Sequence, residues 1–290
     1  MKKLSYILLA LVLGLLASTF AYFENNSLVE TNLQLCSHTL PASFNGYKIV
    51  QISDLHNIRF GEHQSAILAR IRAANADIIV VTGDLVYDRP YGEAEGLEFM
   101  RRAVRIAPVY FITGNHEWQS DRFYSLEPKL RAAGIHVLHD EHAVIRRGAE
   151  YIILAGLDDI TKGTHKGDQL FADDYHEAIL STKLDRALAG TSPNTFTILL
   201  SHQPQFFSVY ARHGIDLTFC GHAHGGQIRL PFIGGLYAPG QGLFPKYTTG
   251  MYRLAKSSMV VSRGLGNSIF KLRVFDRPEI VALTLESQQR

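Results

Sequence analysis

What this 290-residue chain has little of narrows it first. Two cysteines, Cys36 and Cys220, cannot make a disulfide framework, and their spacing matches no zinc knuckle or redox pair. Both are expected to pack as small hydrophobes. There is no basic run of the kind that marks a nucleic-acid footprint, and 29 basic against 27 acidic residues leave a formal charge of only +2. No nucleic-acid partner is therefore expected, and net charge selects no other. Neither an internal repeat nor a low-complexity segment is present, so repeat architectures and disordered tracts drop out of consideration.

What remains is a composition that can bury a full core: 46% hydrophobic and 19% charged residues read as one globular domain plus an appendage. Length alone would also permit two domains. Histidine stands out at 13 copies, and His is the side chain that serves both as metal ligand and as proton donor near neutral pH. At the N-terminus, Lys2 and Lys3 precede an almost uninterrupted apolar stretch from Leu4 to Phe23, about the 20 residues a helix needs to cross a bilayer. Residues 1–23 are expected to be a retained membrane anchor. A cleaved signal peptide is the alternative, with Thr19, Phe20 and Ala21 as a poor cleavage site. No cysteine stands just after the run to carry a lipid. The lysines on one side and Glu24 on the other predict a cytoplasmic N-terminus and an extracytoplasmic body.

Beyond a polar connector over residues 24–43, the 44–290 body alternates β-rich runs with helical stretches, which predicts an α/β fold. Strands are expected at Tyr47–Ser53, Ile78–Val81 and Val109–Ile112, separated by a helix over Gln64–Ala74 and another carrying Leu97, Met100 and Val104. Further strands are expected at Ile135–Leu138, Ala143–Ile145, Tyr151–Ala155, Phe196–Leu200, Asp216–Phe219, Met259–Val261 and Ile280–Leu285, with a helix over Tyr175–Leu188 and a glycine-rich loop from Gly221 to Gly250.

The first three strands each end in a polar cluster: Asp54 and His56, then Gly83 and Asp84, then Gly114, Asn115 and His116. Strand ends of this kind are where sites assemble in α/β sheets. Taken singly, each cluster is a turn or cap. In order, DLH at 54–56, GD at 83–84, GNHE at 114–117, SH at 201–202 and GHAH at 221–224 would be five coincidences. The string resembles the calcineurin-like metallophosphoesterases, whose pattern is DxH, GD, GNH followed by D or E, a later H, and GHxH. The tail GHAHGGQIRLP with SRGLG at Ser262–Gly266 is similar to a bacterial phosphodiesterase branch carrying an N-terminal membrane segment.

The resemblance implies a four-layer αββα fold of two mixed sheets between helices. It also implies a site for two divalent metal ions. Asp54, His56 and His224 would hold one, Asn115, His202 and His222 the other, and Asp84 would bridge them. His222 and His224 can serve different metals only if the backbone twists between them, a freedom that Gly221, Gly225 and Gly226 offer. No thiolate is among these ligands, so the site should accept manganese, iron or zinc. A bridging hydroxide would attack the phosphorus of a phosphodiester or pyrophosphate. His116 would act beside the metals as proton donor to the leaving oxygen. The family often places an Asp three residues after the GD aspartate to orient this His; here Tyr87 stands there and Asp88 follows. Arg59 and Arg263 are candidates for holding phosphate, with solvated loop arginines as the equal alternative, and the remaining histidines, His136, His139 and His142 among them, read as surface or structural. The anchor favours a lipid-linked substrate, with a UDP-2,3-diacylglucosamine pyrophosphatase of lipid A synthesis as runner-up. A nuclease, or a silent metal-dependent interaction module, are the readings from other classes.

Overall fold

The computed structural model describes residues 2–162, 173–267 and 270–288; of the expected segment and body, Met1, 163–172, 268–269 and 289–290 lie outside that description. The chain opens with helix α1 (Lys2–Asn26) and strand β1 (Val29–Ser37), then β2 (Tyr47–Ile52), α2 (Ser65–Ala74), β3 (Ile78–Thr82), α3 (Ala94–Ala103) and β4 (Val109–Ile112). It continues through α4 (Asn115–Gln119), α5 (Phe123–Ala132), β5 (His136–Val137), β6 (Glu141–Arg147), β7 (Glu150–Gly156), α6 (Asp173–Ala187), β8 (Thr197–Leu200) and α7 (Phe207–Arg212). Last come β9 (Leu217–Cys220), β10 (Gly250–Leu254), β11 (Ser257–Val261) and β12 (Glu279–Ser287). Between β9 and β10, the expected glycine-rich loop holds a 3-10 turn at His224–Gly226 and two-residue strand pairs.

The period-2 alternation of buried side chains makes the layers. Val50, Ile52, Ile79, Val81, Val109 and Phe111 face one apolar cluster shared with Ile67, Leu68 and Ile71 of α2, Leu97 and Met100 of α3, and Leu126 and Leu130 of α5. Their neighbours Ile49, Val80 and Ile112 face a second cluster against Leu154, Ile198, Leu200 and Phe219. The opposite side of those strands, Ile153, Leu199 and Val261, packs on Leu180 and Leu184 of α6 and Val209 and Tyr210 of α7. The result is helix, sheet, sheet, helix. One sheet runs in the order β1-β12-β2-β3-β4-β5 and the other β10-β11-β9-β8-β7-β6. Both are mixed: β2, β3, β4 and β5 are parallel, as are β7, β8, β9 and β11, with antiparallel neighbours at β12, β6 and β10.

One expectation is corrected. The supposed connector over 24–43 contains β1, which pairs in parallel with β12 along its whole length, from Val29 against Glu279 to Ser37 against Ser287. Its polar residues Thr31, Asn32 and Gln34 disguise an edge strand whose Leu35 is buried in the inter-sheet core. Among the described residues, α1 meets the body through its C-terminal end. Glu24, the one buried residue of α1, accepts the backbone N–H of Asp276 at 3.0 Å, Phe20 meets Phe275 edge to face at 5.6 Å, and Arg277 lies over the Phe23 ring at 5.2 Å.

If β1 is part of the sheet, Leu35→Ala should cost about 2–5 kcal/mol, as for other large-to-small core changes, in urea unfolding of the full chain. A flexible connector would tolerate the change within about 0.5 kcal/mol.

Candidate active site

The parallel strands deliver their C-terminal turns to one edge where the two sheets meet. β2 delivers Asp54 and His56, β3 delivers Asp84, β4 delivers Asn115 and His116, β8 delivers His202, and β9 delivers His222 and His224. Glycine makes the approach possible. A Cβ on Gly221 would lie 1.9 Å from Ser53 Oγ, and one on Gly114 would lie 2.2 Å from Asp84 Oδ1. The backbone is strained here: Asp54, His56, Asp84, His222 and His224 all sit at positive φ, between 45° and 65°. Non-glycine residues occupy that region only where the surroundings hold them, and such strain concentrates at functional sites. The twist expected between His222 and His224 therefore lies in the histidines themselves as well as in Gly225 and Gly226.

Two groups of ligand atoms result. Asp54, His56, Asp84 and His224 present donors within 4.8 Å of one another, and so do Asp84, His202 and His222; every one of these residues is buried and Asp84 belongs to both groups. Asp84 Oδ1 accepts the backbone N–H of His116 at 2.9 Å, while Oδ2 faces Nε2 of His202 at 3.3 Å and of His56 at 3.7 Å. Asn115 Oδ1 is buried without a partner, as is His56 Nδ1. A buried amide oxygen without a donor is costly, and a cation is what this one would satisfy.

The imidazole orientations point the same way. His202 Nδ1–H donates to the Thr82 carbonyl at 2.7 Å and His224 Nδ1–H to that of Gly266 at 3.2 Å, leaving each Nε2 with a free lone pair. Those lone pairs face ring nitrogens of His222 at 3.1 Å and His56 at 3.2 Å. Burial pushes His56 and His224 down to about 3, and holds His222 well below its ordinary value, so these rings stay neutral and ready to ligate. Burial opposes ionisation of Asp84 as well, but His202 and His116 outweigh it and keep the carboxyl well below the usual range. His202 moves up, burial being overcome by Asp84. The pair thus requires positive charge between them, met by a proton or by a metal ion. Nitrogen and carboxylate donors of this kind fit borderline divalent metals.

His116 stands beside these groups, its Nε2 3.9 Å from Asp84 Oδ2. Asp88 accepts its Nδ1–H at 2.9 Å, and Tyr87 stacks on the ring at 5.3 Å. The shift of the orienting carboxylate by one place is absorbed by a short hairpin in which Tyr87–Asp88 pairs with Tyr91–Gly92. Glu117, the last residue of GNHE, is fully buried, and its carboxylate accepts the N–H groups of Asp84, Val86 and Gly114. It ties the turn after β3 to the turn after β4.

Two sequence candidates have partners of their own. Arg59 is exposed and bound to Glu95 of α3 at 2.5 to 2.8 Å, and Arg263 donates to buried Glu279 at 3.1 Å. Arg273, by contrast, gave no signal in the sequence, because most of its partners are backbone carbonyl groups, beside the Asn267 amide oxygen at 3.1 Å and the Asp276 carboxylate at 3.4 Å. It is fully buried and donates to the carbonyls of Arg263, Gly266 and Asp276. It pins the loop whose Gly264 and Gly266 lie against Asp54 and His56; a Cβ on either would come within 2.8 Å of those residues.

Two groups of donor atoms sharing one carboxylate, with an oriented histidine alongside, are what a metal-dependent hydrolase requires. The chain belongs to the calcineurin-like phosphoesterase family, which it matches over residues 47–226, and it is a metal-dependent phosphoester hydrolase. It is 32% identical to the metallophosphoesterase YkuE of Bacillus subtilis over 92% of this chain and 88% of that one. It is 27% identical to the phosphodiesterase YaeI of Escherichia coli, over 82% of each chain. It is also 30% identical to a transmembrane protein with metallophosphoesterase domain from Bos taurus, over 89% of this chain and 57% of that protein's length.

Asp84→Asn keeps a residue that tolerates positive φ but removes the charge that two cations would share. Elemental analysis of this variant should find fewer than two divalent ions per chain. Two retained ions would show that the carboxylate is not needed as a bridge.

Proposed function

We propose that this protein is a two-metal phosphodiesterase held at a membrane by α1, acting on a membrane-associated phosphodiester from the extracytoplasmic side. The observation that carries the metal assignment is Asp84 in common to two buried ligand groups. Asp54, His56 and His224 would hold one ion with it, and Asn115, His202 and His222 the other. When bound, such ions polarise a phosphoryl oxygen and bring the pKa of bound water towards neutrality. The metal can be manganese, iron or zinc by donor chemistry.

The rest of the work falls to the chain. Asp88 holds His116 by Nδ1–H, so that the protonated ring presents Nε2–H towards the cluster and gives that proton to the oxygen leaving phosphorus. Water supplies the new P–O bond and its proton passes to solvent. Burial of the ligand cluster keeps bulk water from competing for the donors. The anchor is supported by the length and apolarity of α1, which suffice to cross a membrane, and by the membrane-spanning relative from Bos taurus. Diester rather than monoester specificity is supported by the name of the Escherichia coli relative. Lys2 and Lys3 support an extracytoplasmic body.

A UDP-2,3-diacylglucosamine pyrophosphatase remains the second reading, since its substrate would also lie at a bilayer. The two separate by rate: bis(p-nitrophenyl) phosphate should be cleaved faster than p-nitrophenyl phosphate with added manganese, whereas dominant turnover of UDP-2,3-diacylglucosamine would favour the pyrophosphatase.

His116→Ala should retain both metals and lose about 10²- to 10⁴-fold in rate on a diester with an alkoxide leaving group, the range of general acid catalysis. The loss should shrink for a nitrophenolate leaving group, which needs little protonation. An equal loss on both would make His116 a positioning residue instead.

A further inference from the structure

Immediately beyond the ligand His224, the chain walls a recess of about 250 Å³ lined by Ile228, Leu236, Tyr237, Leu243 and Phe270. Gly226 and Gln227 complete it, and the Gln227 N–H bonds the carbonyl of His224 at 2.8 Å, so the recess and the ligand cluster share one turn of backbone. Its lone amide side chain is already engaged, Gln227 Oε1 accepting the N–H of Phe270 at 3.3 Å. The Tyr237 hydroxyl and the Gln227 amide nitrogen are the other polar side-chain groups of a lining that is otherwise apolar. The surface calls for hydrocarbon.

The rim shows where hydrocarbon would come from. Leu230, Phe232 and Ile233 are exposed beside it, Phe232 completely, on a turn closed by pairing of Arg229–Leu230 with Gly234–Gly235, and exposed Phe244 follows the next hairpin, its N–H bonded to the Leu236 carbonyl at 2.9 Å. A contiguous apolar patch of this kind on a protein surface marks an interaction site. The rim is continuous with the anchor. Ile228 bridges Val274, Arg229 N–H bonds the Val274 carbonyl at 2.9 Å, and the next residue, Phe275, packs on Phe20 of α1. Phe20 lies about 9 Å before the end of α1 at the helical rise of 1.5 Å per residue, so a bilayer that takes in α1 as far as Phe23 reaches Phe275 as well. Exposed Lys246 and Lys271 flank the patch, as suits anionic headgroups.

We infer that this recess is the subsite for a hydrocarbon chain of a lipid phosphoester, entered from the bilayer over the rim of Leu230, Phe232 and Phe244. The inference rests on the phosphodiesterase reading of the adjoining cluster and gives its substrate class. With the chain housed beside His224, the phosphoryl group is held against the metal ligands without the lipid leaving the membrane surface.

The test uses the full chain in phospholipid nanodiscs with manganese and a series of p-nitrophenyl alkyl phosphodiesters bearing methyl, butyl and octyl groups. The inference expects kcat/KM to rise with chain length, by up to about fourfold per methylene buried. It expects Leu243→Asp and Phe270→Ser, both at exposed positions that tolerate a polar side chain, to reduce the octyl-to-methyl ratio at least tenfold. A ratio that stays high in both variants would mean that bilayer partitioning alone concentrates the longer esters, and would overturn the subsite. So would a flat series in the unmodified chain. Failure to cleave even bis(p-nitrophenyl) phosphate would overturn the phosphodiesterase reading, and this inference with it.

Discussion

Crowding of electron-rich donors around Asp84 is the constraint on which the rest of the structure depends. Two carboxylates and four imidazoles converge in a space closed to water, and among them only an added positive charge makes the arrangement favourable. The surrounding features serve to keep these groups together. Positive φ at five of them, the glycine contacts at Gly114 and Gly221, the three N–H groups gathered by Glu117 and the carbonyl groups gathered by Arg273 each hold a turn that would otherwise relax. The inter-sheet core, running from Ile49 and Val80 to Leu200 and Phe219, is the rigid base from which the turns project.

Burial acts differently on different members of the cluster. His56 and His224 are held neutral because burial outweighs the attraction of Asp84 and Asp54, while Asp84 keeps its charge against the same penalty because His202 and His116 supply the opposite sign. The consequence is a set of neutral nitrogen donors around an ionised carboxylate. His116 is separated from this set by its own partner, Asp88, and by the stacked ring of Tyr87, which leave one face of its imidazole directed at Asp84.

The clustering of residues at the ends of β2, β3, β4, β8 and β9 was legible in the sequence because Asp, Asn and His recur there in fixed order, each group after an apolar run. The strands of the two central layers were legible for a related reason, since burial on both faces leaves a continuous β-branched run such as Ile78–Thr82. β1 was not, because an edge strand half open to solvent reads as polar connector. Helices α4, α5 and α7 were missed as well: α4 and α7 are too short for periodicity to declare them, and Pro128 interrupts the pattern of α5. The partners of Arg59 and Arg263 lie 36 and 16 residues away, at Glu95 and Glu279, so nothing local announced that their charges were engaged. Asp88 reaches His116 only through a hairpin whose geometry the spacing of the motif does not encode.

The junction between α1 and β1 has a consequence for kinetics. Only Ser27 and Leu28 separate the helix from a strand bonded along its whole length to the last strand of the sheet, a span of about 7 Å even when fully extended. With α1 in a bilayer, the body would have no leash on which to wander, and its encounters with a membrane-borne substrate would become a search in two dimensions. Turnover would then follow the mole fraction of substrate in the surface rather than its bulk concentration, and adding inert lipid would slow the enzyme without inhibiting it.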